Sequence, residues 1–146
     1  MHGWFENQEG YTLRKIPSSR DPTLYEFSLS RSKPLTFIWE DGSCWQPDRH
    51  EITDMGSLPR LAQLWIPKDR YLLSWMCHDS GYLKGGLYVS PRRGRPYEFV
   101  KMPRKQIDDF MFEGIRSEGG TWLQLEAIYW AVRAGGWINW GDRRRK

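Results

Sequence analysis

The segment Trp75 to Leu87, WMCHDSGYLKGGL, sets a histidine and an aspartate inside an otherwise aromatic and apolar run. Helical spacing from Tyr71 puts Tyr71, Trp75, His78 and Tyr82 along one face, so His78 looks where the rings look. Asp79 lies about a hundred degrees round the helix, on the margin of the packed side. A buried imidazole and a buried carboxylate must find partners or change protonation state. The chemistry of the chain therefore turns on which residues supply those partners.

One answer is hydrolytic. A histidine acts as general base on water when a carboxylate fixes its tautomer. Asp79 is adjacent to His78 on one helix and badly placed for that task, so the orienting carboxylate is expected from elsewhere: Asp108 first, Asp54 second. Asp79 is then left to bind a cation or to accept backbone hydrogen bonds from the preceding loop. Arg60 or Arg104 would supply positive charge for a developing oxyanion. Ser57 is the alternative, as a nucleophile in its own right, without the strand-turn-helix context of a nucleophile elbow. With three histidines, of which His2 is terminal and His50 is assigned to a loop, a zinc site of the common type is not expected. His78 with Asp79, Asp54 and Asp108, should they meet in space, would suit a harder cation.

The other answer is structural. A His-Asp-Arg network joining two helices and a loop can serve packing alone, and Tyr82 can be a core tyrosine with a bonded hydroxyl. The two differ visibly. An enzyme is expected to present His78 to a cleft that solvent reaches, with Asp54 or Asp108 within hydrogen-bond range; a structural protein is expected to bury the network and to spend its surface aromatics on an interface.

The elements that position these residues follow from periodicity. Residues 1–10 are polar with Trp4 and Phe5 and read as an N-terminal arm. Tyr11 to Ile16 is a short strand; Tyr25, Phe27 and Leu29, then Leu35, Phe37 and Trp39, alternate with other residues as two half-buried strands expected to pair with each other. Cys44 to Ile52 reads as irregular, Thr53 to Arg60 as an ordered loop, and Leu61 to Trp65 as a short helix. The central helix closes at Gly85-Gly86. Leu87–Ser90 and Tyr97–Val100 form a hairpin, read as a flap over that helix or an arm away from it. A helix from Arg104 to Arg116 buries Ile107, Met111, Gly114 and Ile115, with Asp108 near its apolar face and Asp109 toward solvent. Thr121 caps a last helix whose stripe is Leu125, Ile128, Tyr129 and Val132, and Trp137, Ile138 and Trp140 follow as an apolar tail.

The length of 146 residues suits one domain, 1–146, with residues 141–146 as a basic tail. The net charge of +4 owes much to Arg143–Lys146 and to Arg92, Arg93 and Arg95; the remainder is slightly acidic, which argues against a dedicated nucleic-acid groove. Cys44 and Cys77 are too few for a disulfide scaffold. The N-terminal residues lack the pattern of a signal peptide, and no apolar run is long enough for a transmembrane segment. Nine tryptophans, seven tyrosines and six phenylalanines exceed what a core of this size needs, which leaves aromatic surface for a partner. The expected fold is α+β: an N-terminal antiparallel sheet, then three main helices with a small β-hairpin after the central one.

Three ordered motifs carry a resemblance. Thr53, Asp54, Ser57, Pro59 and Arg60, then His78, Asp79 and Tyr82, then Arg104 and Asp108, with Gly135, Gly136 and Trp137 at the end, resemble a family of small uncharacterised proteins of phages, prophages and bacteria. That resemblance covers about residues 25–140. It implies a phage or prophage origin, protein partners in a phage particle or in the host, and a location in the bacterial host cytoplasm or the virion. It lends no established activity. The His-Asp-x-x-Tyr helix with a distant aspartate also looks like the secreted phospholipase A2 arrangement. By that likeness His78 would be the base, Asp79 a calcium ligand and Asp108 the orienting residue. The chain departs from that family in lacking its flanking disulfide cysteines and its glycine-rich calcium loop.

Overall fold

The computed structural model describes residues 2–16, 25–53 and 70–135. Within them the chain is α+β, with eight strands in two antiparallel sheets and three helices. The strands are β1 (Gly3–Glu6), β2 (Tyr11–Lys15), β3 (Tyr25–Leu29), β4 (Thr36–Trp39), β5 (Cys44–Gln46), β6 (His50–Thr53), β7 (Gly86–Ser90) and β8 (Glu98–Lys101). The helices are α1 (Leu72–Lys84), α2 (Arg104–Ser117) and α3 (Trp122–Gly135). The larger sheet runs β1-β4-β5-β7-β8 and the smaller β2-β3-β6.

Four expectations are corrected by this topology. Residues 3–6 are not part of an arm: they pair with β4, Gly3 opposite Trp39 and Glu6 opposite Thr36. The two alternating strands do not pair with each other. β3 joins β2 and β6, whereas β4 joins β1 and β5. Where the chain passes from one sheet to the other, the Gly10 carbonyl accepts from both Ser30 and Leu35 N–H. All four residues of β4 are buried, as an interior strand with both faces covered requires. Cys44 to Ile52 is not irregular, because its polar residues Gln46, His50 and Glu51 fall on β5 and β6, where neighbouring strands satisfy their backbones. Nor is the β7–β8 hairpin a flap: β7 pairs with β5, so the hairpin extends the larger sheet. The helix expected over Leu61–Trp65 and the tail at Trp137–Trp140 lie outside the described residues.

Two apolar clusters fill the interior. Phe5, Phe37, Trp39, Met76, Tyr82, Leu87 and Phe110 belong to the one between sheet and helices, where the rings of Phe37, Trp39, Trp45 and Phe110 meet mostly edge to face. Tyr71, Trp75, Met111, Ile115, Leu125 and Ile128 form the other, among the helices. α1 lies between the two and is buried nearly all round, from Leu73 through Tyr82 with Asp79 alone half-buried. Its sequence spacing thus shows one apolar face where the structure covers almost every side. Gly85 ends it in the left-handed conformation, φ 74°, with its N–H on the Gly81 carbonyl.

α1 and α2 run antiparallel and approach closely at two places, each with a glycine on one helix under a side chain of the other. A Cβ on Gly81 would come within 2.9 Å of Ile107 Cγ2, and one on Gly114 within 2.7 Å of Ser74 Oγ. Ser74 cannot simply swing aside, because its hydroxyl and its N–H both donate to Glu118 Oε2, at 2.5 and 3.1 Å. Glu118, at the end of α2, thereby caps the first turn of α1, whose own flanking residue Tyr71 makes no side-chain cap. On this packing Gly114→Ala is expected to destabilise the fold by about 1–3 kcal/mol. Urea unfolding monitored by circular dichroism measures it, and a variant as stable as the parent would show that the contact is looser than described.

Candidate functional site

His78 sits where the two apolar clusters meet. The Trp75 ring stands at right angles to it, centroids 5.9 Å apart, and the Tyr82 ring lies 4.1 Å away on the other side. The imidazole is therefore held by aromatics one turn before and one turn after it on α1, as the spacing of Trp75, His78 and Tyr82 predicts.

Its partner is Asp108 on α2. Nε2 of His78 donates to Asp108 Oδ1 at 2.9 Å, and the Tyr82 hydroxyl donates to the same oxygen at 2.5 Å. The other carboxylate oxygen, Oδ2, accepts from Arg133 Nη1 at 2.9 Å and lies 3.9 Å from Arg104 Nε. Asp108 has no exposed surface, and His78 is 5% exposed. Asp109 beside it points outward and binds Lys105 at 2.6 Å and the Tyr129 hydroxyl at 2.9 Å. The helical phase that separates the two aspartates in the sequence is the one observed.

The expected residues divide three ways. His78, Asp108, Tyr82 and Arg104 are brought together. Asp79 lies at the edge of the group, with its Oδ1 4.0 Å from His78 Nδ1 and its side chain 19% exposed. Asp54, Ser57 and Arg60 lie outside the described residues. Arg104 does not present itself as a free cation: Nη2 donates to the Arg133 carbonyl at 3.0 Å, while Nη1 is buried without a hydrogen-bond partner. His50, assigned to a loop, stands at the start of β6, where its Nδ1 is 2.9 Å from Ser28 Oγ. Among the described residues no group of three or more His, Cys, Asp or Glu is arranged to hold a metal ion. The described residues thus give the calcium expected at Asp79 too few ligands, and no step is routed through it.

Arg133 went unrecognised in the sequence. Its signal is its place one turn after Tyr129, so that two successive side chains of α3 reach the neighbouring carboxylates Asp109 and Asp108.

The charges follow from the geometry. Burial opposes the imidazolium of His78, but the hydrogen bond to Asp108 and the nearness of Asp79 outweigh it and hold the pKa above 6.5. Burial likewise opposes the Asp108 carboxylate, yet the bonds from His78, Tyr82 and Arg133 hold it below 3.8. Burial and the neighbouring carboxylate push the Tyr82 phenol up, which keeps it a donor. Burial pushes the Cys77 thiol up as well, so it is no nucleophile.

No family model, curated protein or solved structure matches this chain.

The network stabilises the fold in a defined window. The raised His78 contribution is complete below pH 6.5 and is lost as pH rises through its folded value. The lowered Asp108 contribution is complete above pH 3.8 and is lost as pH falls through its folded value. Asp108→Asn is accordingly expected to cost about 3–5 kcal/mol, with the largest loss between those two limits. Denaturant titrations of both proteins across pH test this; a loss that does not vary with pH would mean the pair is uncharged.

Proposed function

We propose that the chain is a phage-type hydrolase of ester or amide bonds, in lipid or cell wall, with His78 as general base. The observation that carries this reading is the hydrogen bond from His78 Nε2 to the buried Asp108. It keeps the proton on Nε2 and leaves Nδ1, on the Asp79 side, as the atom that takes a proton from water. The resulting hydroxide attacks the carbonyl carbon, and the imidazolium returns the proton to the leaving group. Access is from the Asp79 side, where side-chain exposure rises from 6% at His78 to 19% at Asp79. The phage assignment, and with it a location in the host cytoplasm or the virion, rests on the ordered motifs of the sequence.

A second reading is favoured by burial. With Asp108 sealed and His78 nearly so, the same network serves a non-catalytic virion or tail-associated protein as the tie among three helices. No helix among the described residues is long and apolar enough to cross a membrane, which suits either reading.

His78→Gln distinguishes them, because glutamine can still donate to Asp108 but cannot act as base. Under the hydrolase reading it loses hydrolysis of phospholipid or peptidoglycan on the order of a hundred- to ten-thousand-fold while remaining folded. The ascending limb of kcat/KM is expected above pH 6.5, since the base must be neutral and its pKa is raised. A wild-type protein inactive on both substrate classes, together with a His78→Gln variant that mainly loses stability, would establish the second reading instead.

A further inference from the structure

The face of the larger sheet turned away from the helices has a covered part and an open part. Phe5, Phe37 and Leu87 belong to the core against the helices, so their strand neighbours Glu6, Thr36 and Tyr88 take the other face. Strand register carries that face across the sheet: Glu6 lies opposite Thr36, Gln46 opposite Tyr88, and Tyr88 opposite Phe99. The β7–β8 turn covers one part. Ser90 Oγ lies 2.8 and 3.0 Å from the carbonyls of Arg92 and Arg95, the Arg93 guanidinium reaches Glu6, and Ile38 and Cys44 on this face are buried. In the open part Tyr88 is half-buried, and Phe99 and Lys101 are exposed.

A cavity of about 290 Å³ opens there, lined by Gln46, Pro47, Asp48, Arg49, Tyr88 and Tyr97. Its groups are held in place. The Tyr97 hydroxyl lies beside the Thr36 and Cys44 side chains, which fixes the far end of that ring. The Thr36 hydroxyl donates to the Pro34 carbonyl at 2.9 Å and so accepts from Gln46 Nε2 at 2.8 Å, which commits the amide nitrogen and leaves Gln46 Oε1 as an acceptor. Phe99 stands edge to face with Tyr88, centroids 5.4 Å apart. The end of its ring lies over Gly86, where a Cβ would come within 2.9 Å of Phe99 Cζ, and Gly86 lies opposite Lys101.

The nearby acids are engaged or turned away. Asp48 Oδ2 is 3.2 Å from Lys84 Nζ, and its Oδ1 accepts the Arg49 N–H at 2.7 Å. Glu6 is held by Arg93, and Glu98, opposite Val89, alternates onto the other face. Two exposed cations remain, Arg49 beside the cavity and Lys101 beside Phe99.

We propose that this open face binds single-stranded nucleic acid, with one base in the cavity between Tyr88 and Tyr97, the next on Phe99, and the backbone phosphates at Arg49 and Lys101. Fixed aromatic rings accept the face of any unpaired base, and cations beside them accept the phosphates. Gln46 Oε1 accepts from an amino group of the base in the cavity. A duplex keeps its bases stacked inside and offers the rings nothing, and an acidic peptide would satisfy the cations but not the rings. Counted along the chain, the arginines gather in a turn and a tail; Arg49 and Lys101 belong to neither, and only strand pairing brings them to one face. The site lies across the sheet from the helices that carry His78 and is independent of the hydrolytic reading.

Fluorescence anisotropy of labelled ten-nucleotide DNA and RNA strands of mixed sequence, titrated with the full chain over a salt series, tests the proposal. Phe99→Ala and Tyr88→Ala are each expected to weaken binding about tenfold at fixed salt. Arg49→Gln and Lys101→Gln are each expected to lessen the slope of log K against log salt by about 0.7, the share of one phosphate on a single strand. Circular dichroism confirms that each variant is folded. The proposal is overturned if neither strand binds at low salt, or if a duplex or polyglutamate binds as tightly as the strands. Adenosine monophosphate bound as tightly as a strand would overturn it in favour of a pocket for free nucleotides. Strand binding unmoved by Phe99→Ala and Tyr88→Ala would also overturn it, and would place the contact at the basic residues Arg143 to Lys146.

Discussion

A carboxylate with no exposed surface is tolerable only if its charge is matched, and Asp108 is matched from three helices. His78 and Tyr82 reach it from α1, Arg133 from α3, and Arg104 from its own helix one turn earlier. Each donor is itself held. The His78 ring is fixed between Trp75 and Tyr82, and Arg104 is tied to the backbone of α3 through the Arg133 carbonyl. The placement of α3 against the other two helices therefore involves an ionic contact as well as the apolar contacts of Leu125 and Ile128.

A half-buried carboxyl group does similar work at the opposite end of the helix pair. Glu118 closes α2 and receives the hydroxyl and amide of Ser74 in the first turn of α1, and burial holds its pKa up against those bonds. Glu113, one turn earlier, accepts the Gly3 N–H and the Arg116 guanidinium, which anchors the first strand to α2. One helix thus presents three carboxylates in three directions, to a strand, to a neighbouring helix start and to the His78 centre. Helical phase alone separates them from the solvent-facing Asp109.

Much of this was legible in the residues. The class, the three helices and the separation of Asp108 from Asp109 follow from periods of two and 3.6. Thr121 and Gln124 bond each other's backbone N–H, as the cap assigned to Thr121 requires. What could not be read was pairing between distant segments. Strands β3 and β4 carry similar alternation and stand near each other in sequence, yet they lie in different sheets, with the Gly10 carbonyl bonded to the chain where it passes from one to the other. The first ten residues looked like an arm because the partner of β1 lies thirty residues on, and local pattern holds no record of it. Arg133 was missed for a related reason. An arginine in the last turn of a helix is ordinary in that position, and only the fold shows that it ends on a buried aspartate.

The reciprocal glycine contacts of α1 and α2 bear on motion. Gly81 under Ile107 and Gly114 under Ser74 form two notches, seven residues apart on each helix. Sliding one helix past the other by a turn, about 5.4 Å, would bring a bulkier side chain onto each notch, so the pair resists shear. The distance between His78 and Asp108 is consequently set by a keyed rail and cannot act as a gate. Any movement that exposes the imidazole has to come from what is laid against that rail.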